Sequence, residues 1–323
     1  MDRTGAVAAL RQAVASASER IADRDTDARW CVALSGGPDS LALTAAAAGL
    51  RSTTALIVDH RLQPGSGAVA DAARKQALDL GCVAAHILSV DVGRTGGPEA
   101  AARQARYAAL DTARDGSPVL LGHTLDDQAE TVLLGLGRGS GARSIAGMRP
   151  HDPPWHRPLL GVRRTLTHAV CDELGLAPWQ DPHNADRRFT RSRLRHEVLP
   201  LLEDVLGGGV AEALARTAIA LREDTETLDA LAGEALTGVR TEAGGLDTAR
   251  LAPLPDALRR RVIRAWLLDG GACDLTDIQI RGVDRLVTAW RGQGGVAVGS
   301  GLRKRRLFAA RRAGVLTMHT EPV

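Results

Sequence analysis

The chain has 323 residues, 44% hydrophobic and 24% charged, a length that allows about two domains and a composition ordinary for a globular protein. A net charge of +3 does not by itself mark a nucleic-acid binder, and aromatic residues at 2% leave few side chains for base stacking. No apolar run is long enough to cross a membrane, the start Met1, Asp2, Arg3, Thr4 lacks the basic segment and apolar core of a signal peptide, and Cys31, Cys82, Cys171 and Cys273 lie too far apart for a zinc set or a disulfide framework, so a cytoplasmic protein without membrane contact is expected.

Thr4 to Ala22 predicts a helix with Val7, Leu10, Val14 and Ile21 on one face. Val32, Ala33 and Leu34 then form the short apolar run of a buried parallel strand. Ser35, Gly36, Gly37, Pro38, Asp39 and Ser40 follow at once, and Leu41 to Leu50 continues as a helix. Strand, glycine-rich turn and helix N-terminus make an anion site. The glycines let consecutive N–H groups turn inward, the helix dipole adds positive potential, and Ser35 and Ser40 add hydroxyl donors. Asp39 is out of place there, because a carboxylate beside phosphates calls for a cation between them, and magnesium fits. The stretch has no Gly-Lys-Ser/Thr ending and is not a Walker loop.

Ala55 to Val58 predicts a second buried strand, ending at Asp59 and His60. Ligands of open α/β sheets sit at the carboxyl ends of strands, so Val58, Asp59 and His60 form a natural adenine and ribose wall beside the loop. Helices are expected over Ser66 to Leu80 and Glu99 to Ala113, and strands over Val83 to Val90 and Val119 to Gly122. This alternation argues a parallel, doubly wound sheet. Thr124 caps a helix beginning near Leu125, on which Asp126, Asp127 and Glu130 can meet near the N-terminus. Three acids near a phosphate loop suggest metal or amine binding, although first-turn acids also serve the helix dipole. Arg138, Gly139, Ser140, Gly141 and Arg143 form a basic turn. Arg163 to Leu174 and Thr190 to Leu202 predict helices, the second carrying Arg191, Arg193 and Arg195 beside turn glycines and a Trp, a pattern that fits RNA-backbone contact better than a solvated face paired with Glu197 and Glu203.

The loop SGGPDS resembles the pyrophosphate-binding loop, SGGxDS, of the N-type ATP pyrophosphatases, which split ATP between the α and β phosphates and use AMP to activate a carbonyl-type oxygen. The ordered set SGGPDS, VDH, EAAARQARY, LGHTLDDQAETVLLGLGRGSG, RPLLGV and DPHNADRRFTRSRLRHEVLP resembles the tRNA(Ile)-lysidine synthase family over roughly the first two thirds of the chain. Two positions depart from the family's usual residues: Ser192, where Asn is more frequent, and His183, where Ser is usual. Both lie in the RNA-facing region.

The resemblance implies a doubly wound, mostly parallel sheet of the adenine nucleotide alpha hydrolase type with a smaller C-terminal α+β domain. It implies that ATP adenylates the C2 oxygen of the wobble cytidine of a tRNA(Ile) with a CAU anticodon. Free L-lysine then displaces AMP through its ε-amine and forms lysidine. By matched position, Ser35, Gly36, Gly37, Pro38, Asp39 and Ser40 are expected to bind pyrophosphate and, through Asp39, Mg2+, with Val58, His60 and Gly122 near adenosine. Asp126, Asp127 and Glu130 are candidates for lysine capture, one of them as base. Arg103, Arg106, Arg138, Arg191 and Arg195 are candidates for phosphate or tRNA contact. A homodimer stays among the expected partners, although the sequence does not set the oligomeric state.

Gly207, Gly208 and Gly209 mark the expected boundary between a catalytic domain, 1–209, and a linker helix with a C-terminal tRNA-binding domain, 210–323. Helices are expected over Asp256 to Leu268 and Thr276 to Trp290, and strands within Gly294 to His319. That last stretch carries the densest basic run, including Arg303, Lys304, Arg305 and Arg306, which is read as a tRNA contact. Longer family members carry a further C-terminal domain that this chain is expected to lack. Two rivals are a tRNA thiolase, which needs a reactive cysteine or a CxxC, and a catalytically silent RNA-binding protein, against which Ser35, Asp39, Ser40, Asp127 and Glu130 all argue.

Overall fold

The structure is a computed structural model and describes residues 5–19, 21, 29–61, 65–93, 97–139, 141–182, 186–301 and 305–322. Ser140, His183, Asn184, Arg303 and Lys304 therefore lie outside the described residues. The chain divides into two compact units, Met1–Gly139 with Ser144–Ala218, and Ser140–Arg143 with Ile219–Val323.

The elements of the first unit begin with α1 (Ala6–Ser18), β1 (Trp30–Ala33), α2 (Pro38–Ala48), β2 (Thr53–Asp59), α3 (Ser66–Asp79), β3 (Ala84–Ser89), α4 (Pro98–Ala113), β4 (Val119–Leu121) and α5 (Leu125–Arg138). There follow α6 (Ala142–Ile145), across which the division between the units runs, then a short hairpin of β5 (His151–Asp152) and β6 (Trp155–His156), α7 (Arg164–Glu173), α8 (Thr190–Arg193) and α9 (Leu199–Val205). The six strands run in the order β3-β2-β1-β4-β6-β5, all parallel except β5. Side chains alternate across this sheet as the period of a strand requires. Val32, Leu34, Ala55, Ile57 and Leu120 join one core with residues of α1, α2, α3 and α7, while Cys31, Leu56, Val119 and Leu121 join another with Leu110 of α4. Both faces of the central strands β1, β2 and β4 are covered, which is why their buried stretches are largely apolar. β1 is central, between β2 and β4, so the loops leaving the carboxyl ends of these three strands converge at one edge.

The segment expected as one helix over Thr190 to Leu202 is interrupted. Between α8 and α9 lies a π-helical turn, Leu194–Val198, closed by the Leu199 N–H on the Leu194 carbonyl. Pro200 supplies the reason: it has no N–H to donate back to the fourth carbonyl before it, so the regular ladder fails here.

The helix α10 (Val210–Val239) follows, and the division between the units falls within it. The second unit continues with β7 (Leu246–Asp247), α11 (Thr248–Leu251), α12 (Asp256–Asp269), α13 (Asp277–Thr288), β8 (Val296–Val298), β9 (Arg305–Arg312) and β10 (Val315–Pro322). Its sheet is antiparallel, in the order β7-β10-β9-β8. Trp266 is buried in its core and donates its indole N–H to the Gly244 carbonyl at 2.9 Å. Among the described residues, no helix is long and apolar enough to cross a membrane.

The β5–β6 hairpin sets His151 opposite His156, with their Nδ1 atoms 3.2 Å apart. Burial first, then the neighbouring His151 and Arg157, push His156 down to about 4 from an ordinary 6.5. Between these two values the unfolded chain binds more protons than the folded one. Stability is therefore complete above about pH 6.5 and is lost as pH falls toward 4, by on the order of 1–3 kcal/mol for such a shift. Urea unfolding at pH 7 and pH 5 should show this loss, and His156→Gln should reduce it; an unchanged pH slope in the variant would rule His156 out as its source.

Candidate active site

The loop after β1 is held by its own side chains. Gly36 has φ 83°, in the left-handed region that glycine adopts without penalty. Pro38 stands in the first turn of α2, where its missing N–H costs nothing. The Ser40 hydroxyl accepts from the Ser35 N–H at 3.2 Å, donates to the Gly37 carbonyl at 3.0 Å and lies 3.0 Å from the Ser35 hydroxyl. Trp179 N–H fastens the Gly36 carbonyl from outside at 2.9 Å. Gly122, just past β4, approaches the same turn: a Cβ there would stand 3.2 Å from the backbone C and O of Asp39.

Asp39 leaves this turn toward a network of acids and arginines. Its Oδ1 accepts from the Thr167 hydroxyl and its Oδ2 lies 3.3 Å from Arg164 Nε. Arg164 also donates from Nη2 to Asp127 Oδ1 at 2.7 Å and stands with Nη1 3.5 Å from Glu130 Oε1. Arg195, on the π-helical turn, donates from Nε to Glu130 Oε1 at 2.8 Å and from Nη2 to Asp127 Oδ1 at 3.1 Å. The Glu130 side chain is 0% exposed, so its charge is tolerated only because two guanidinium groups meet it. Asp126 accepts the Arg164 backbone N–H at 2.7 Å and lies 3.6 Å from Arg163 Nη1.

Local structure fixes these positions. Thr124 and Asp127 form a capping box, in which Asp127 Oδ2 accepts the Thr124 N–H at 2.8 Å. Burial opposes ionisation of Asp127, but Arg164, the Thr124 N–H and Arg195 outweigh it and hold its pKa below the usual range. For Asp39 the balance is reversed: burial raises its pKa, and Thr167 and Arg164 only partly offset the rise. Burial would lower the Arg164 pKa, but Asp127, Asp39 and Glu130 together raise it.

A second cluster has the opposite sign. Arg103 and Arg106 of α4 flank Tyr107, with their Cζ atoms 4.8 and 5.7 Å from the ring centre. Burial, then the charges of Arg103 and Arg191, lower the pKa of Arg106 against the pull of Tyr107. Burial and then Arg106 lower His60, while burial takes His123 down to about 4 against the pull of Asp127. Both imidazoles are therefore neutral at pH 7, and each has a buried Nδ1 with no hydrogen-bond partner.

The sequence-predicted residues thus fall into groups. Ser35, Gly36, Gly37, Pro38, Asp39, Ser40 and Gly122 meet around one turn, and Asp126, Asp127, Glu130 and Arg195 join it through Arg164. Val58 is half-buried at the end of β2, and Arg138 is exposed at the end of α5. Arg305 and Arg306 are exposed on β9, in the second unit. In the sequence His123 stands on the turn at a strand's carboxyl end with no role assigned to it, and Arg163, Arg164 and Thr167 were missed. A signal existed for the arginines: two cations opening a helix oppose its dipole and need acids nearby.

Residues 10–202 match the model of the PP-loop domain, and residues 246–316 match the TilS substrate binding domain. Fold and loop together define a PP-loop protein that uses ATP. The chain is 72% identical over 323 residues to the tRNA(Ile)-lysidine synthase of Mycolicibacterium paratuberculosis and 70% identical over 328 residues to that of Mycobacterium bovis, each match covering 100% of both chains. It is 61% identical over 322 residues to that of Rhodococcus erythropolis, covering 99% of this chain and 98% of the relative. The chain belongs to the tRNA(Ile)-lysidine synthase family, and is accordingly a ligase of tRNA modification. In fold alone it is also similar to a U34-tRNA thiolase, NcsA from Methanococcus maripaludis with its 4Fe-4S cluster, at 18% identity and TM-score 0.57, covering 68% of this chain and 80% of that one.

Gly122→Ala tests the closeness of β4 to the loop. Its methyl group would meet backbone rather than a movable side chain, and overpacking of that kind costs about 1–3 kcal/mol. If the displaced turn binds nucleotide, ATP affinity in equilibrium titration should fall at least about fivefold; unchanged affinity would separate Gly122 from the nucleotide.

Proposed function

We infer that this chain joins free L-lysine to C2 of the wobble cytidine in tRNA(Ile) with a CAU anticodon, converting ATP to AMP and pyrophosphate. The observation that carries this reading is the continuous network from Asp39 in the loop to Asp127 and Glu130, which connects a nucleotide turn to a buried acidic patch.

The chemistry has two steps. The cytosine C2 carbonyl is a poor electrophile. Its oxygen attacks the α-phosphorus of ATP, pyrophosphate leaves, and C2 now carries a good leaving group. The ε-amine of lysine adds to C2, loses a proton, and AMP departs with the former C2 oxygen. Ser35, Gly36, Gly37, Pro38 and Ser40 cradle the phosphates, while Val58, His60 and Gly122 border adenosine. The neutral imidazoles of His60 and His123 and the buried guanidinium of Arg106 suit an anion better than a cation.

Mg2+ commonly takes one or two carboxylates and completes its shell with phosphate oxygens and water. Among the described residues no three or more metal-ligating side chains form a cage, and the single carboxylate of Asp39 in the loop fits that mode. Bound there, the ion would offset charge on the departing pyrophosphate. Lysine brings an ammonium with a pKa of about 10.4 that must lose a proton to react. Asp39, Asp126, Asp127 and Glu130 pair with Arg163, Arg164 and Arg195, and Arg163 is shared with Glu203 and Glu212, so the acids outnumber the arginines and leave negative charge for a further cation.

The decisive assay is the purified chain with tRNA transcript, Mg-ATP and labelled lysine. Label should enter tRNA only with ATP and with release of one pyrophosphate; tRNA binding without label transfer would favour the silent RNA-binding protein. Asp39→Asn is expected to abolish pyrophosphate release and leave tRNA binding intact. Glu130→Gln should raise the lysine requirement more than the ATP requirement, whereas equal losses would assign Glu130 to the nucleotide. For the second unit, replacing Arg305 and Arg306 with Ala should weaken tRNA binding and reduce its salt slope by about one per lost phosphate contact. An unchanged slope in the folded variant would leave β9 a solvated face.

A further inference from the structure

Arg164 stands between the two halves of the site and has no part in the reaction scheme above. Both oxygens of Asp39 are already engaged by protein groups, Oδ1 by the Thr167 hydroxyl and Oδ2 by Arg164 Nε at 3.3 Å. The same guanidinium reaches Asp127 Oδ1 at 2.7 Å and Glu130 Oε1 at 3.5 Å, so three carboxylates hold it in place. Its side chain is 16% exposed, which leaves water little room to compete.

A guanidinium is weakly hydrated and always charged, so it pairs with a carboxylate at small dehydration cost and cannot leave by losing a proton. Aqueous Mg2+ is the opposite: it gives up water reluctantly and gains little from one carboxylate that already has a cation. Mg2+ delivered on ATP is different, because phosphate oxygens replace its lost water and supply new anions for the displaced arginine.

We propose that Arg164 is a positioning residue that holds Asp39 against free divalent cations, so that metal enters this site only together with nucleotide phosphates. The inference rests on the reading of Asp39 as the magnesium carboxylate. It gives the acidic patch a reason to be neutralised from within: without Arg164, Asp39, Asp127 and Glu130 would form a cation trap with only Arg195 to offset it.

The test is Mn2+ binding to the full chain, read by electron paramagnetic resonance of the free ion at pH 7.5, with and without a non-hydrolysable ATP analogue. Wild-type protein should bind Mn2+ at the site only with the analogue. Arg164→Gln should bind one Mn2+ without nucleotide at least about tenfold tighter than wild type, since one opposing charge within 4 Å is gone. Arg164→Lys, which restores the charge, should return toward wild type, and Asp39→Asn combined with Arg164→Gln should lose the gain. The proposal is overturned if Arg164→Gln still binds the analogue yet gains no Mn2+ site, or if the gain survives Asp39→Asn. Wild-type protein that binds Mn2+ as tightly without the analogue as with it overturns the proposal whatever the variants do. The underlying reading fails separately, if Asp39→Asn alone leaves the analogue-dependent Mn2+ site intact.

Discussion

A glutamate carboxylate with no solvent exposure, Glu130, sits between the guanidinium groups of Arg164 and Arg195, and the site is assembled around that contact. A buried charge is sustained only by partners with good geometry, and losing one of them typically costs about 3–5 kcal/mol. The partners come from α7 and from the π-helical turn, and Arg164 extends the chain of contacts to Asp39 at the start of α2. Four separate segments are thereby fixed against one another by a few ion pairs. Under the proposed function that order matters, because a phosphate turn and an acidic patch act on the same reactants only if their spacing is constant.

The electrostatics divide the site into two regions. On the side of α5 and α7, carboxylates outnumber arginines; on the side of α4, arginines lie near imidazoles that burial keeps neutral. The Asp127 carboxylate favours a charged His123, but burial outweighs it and keeps that imidazole neutral, so the charge of Asp127 is met by Arg164 and Arg195.

Much of this was legible in the sequence wherever the signal was local. The loop was legible because glycine, proline and serine each have a fixed use in a strand-to-helix turn, and Thr124 because a capping residue acts three positions away. Ion pairs across long separations were not legible. Asp39 and Arg164 are 125 positions apart and Arg195 is 65 from Glu130, so in the sequence the helix with alternating arginines reads as an RNA face rather than as a partner of Glu130. The β5–β6 hairpin went unread because two residues per strand carry no period. The break in the helix after Arg193 could have been inferred from Pro200, but only by tracing which carbonyl that proline leaves without a donor.

That break carries a consequence for chain length. A π-helical turn holds one residue more than a regular turn, and here it carries Arg195 to the carboxylates of α5 while Leu199, a few residues on, still enters the core with Leu125 and Ala129. Deleting one residue between Arg193 and Leu199 would let the ladder close regularly, yet each residue of helix advances the side-chain direction by about 100°. Either Arg195 would turn away from Glu130 or Leu199 would leave the core. The stretch therefore tolerates substitution more readily than a change in register, and homologues should align through it without gaps.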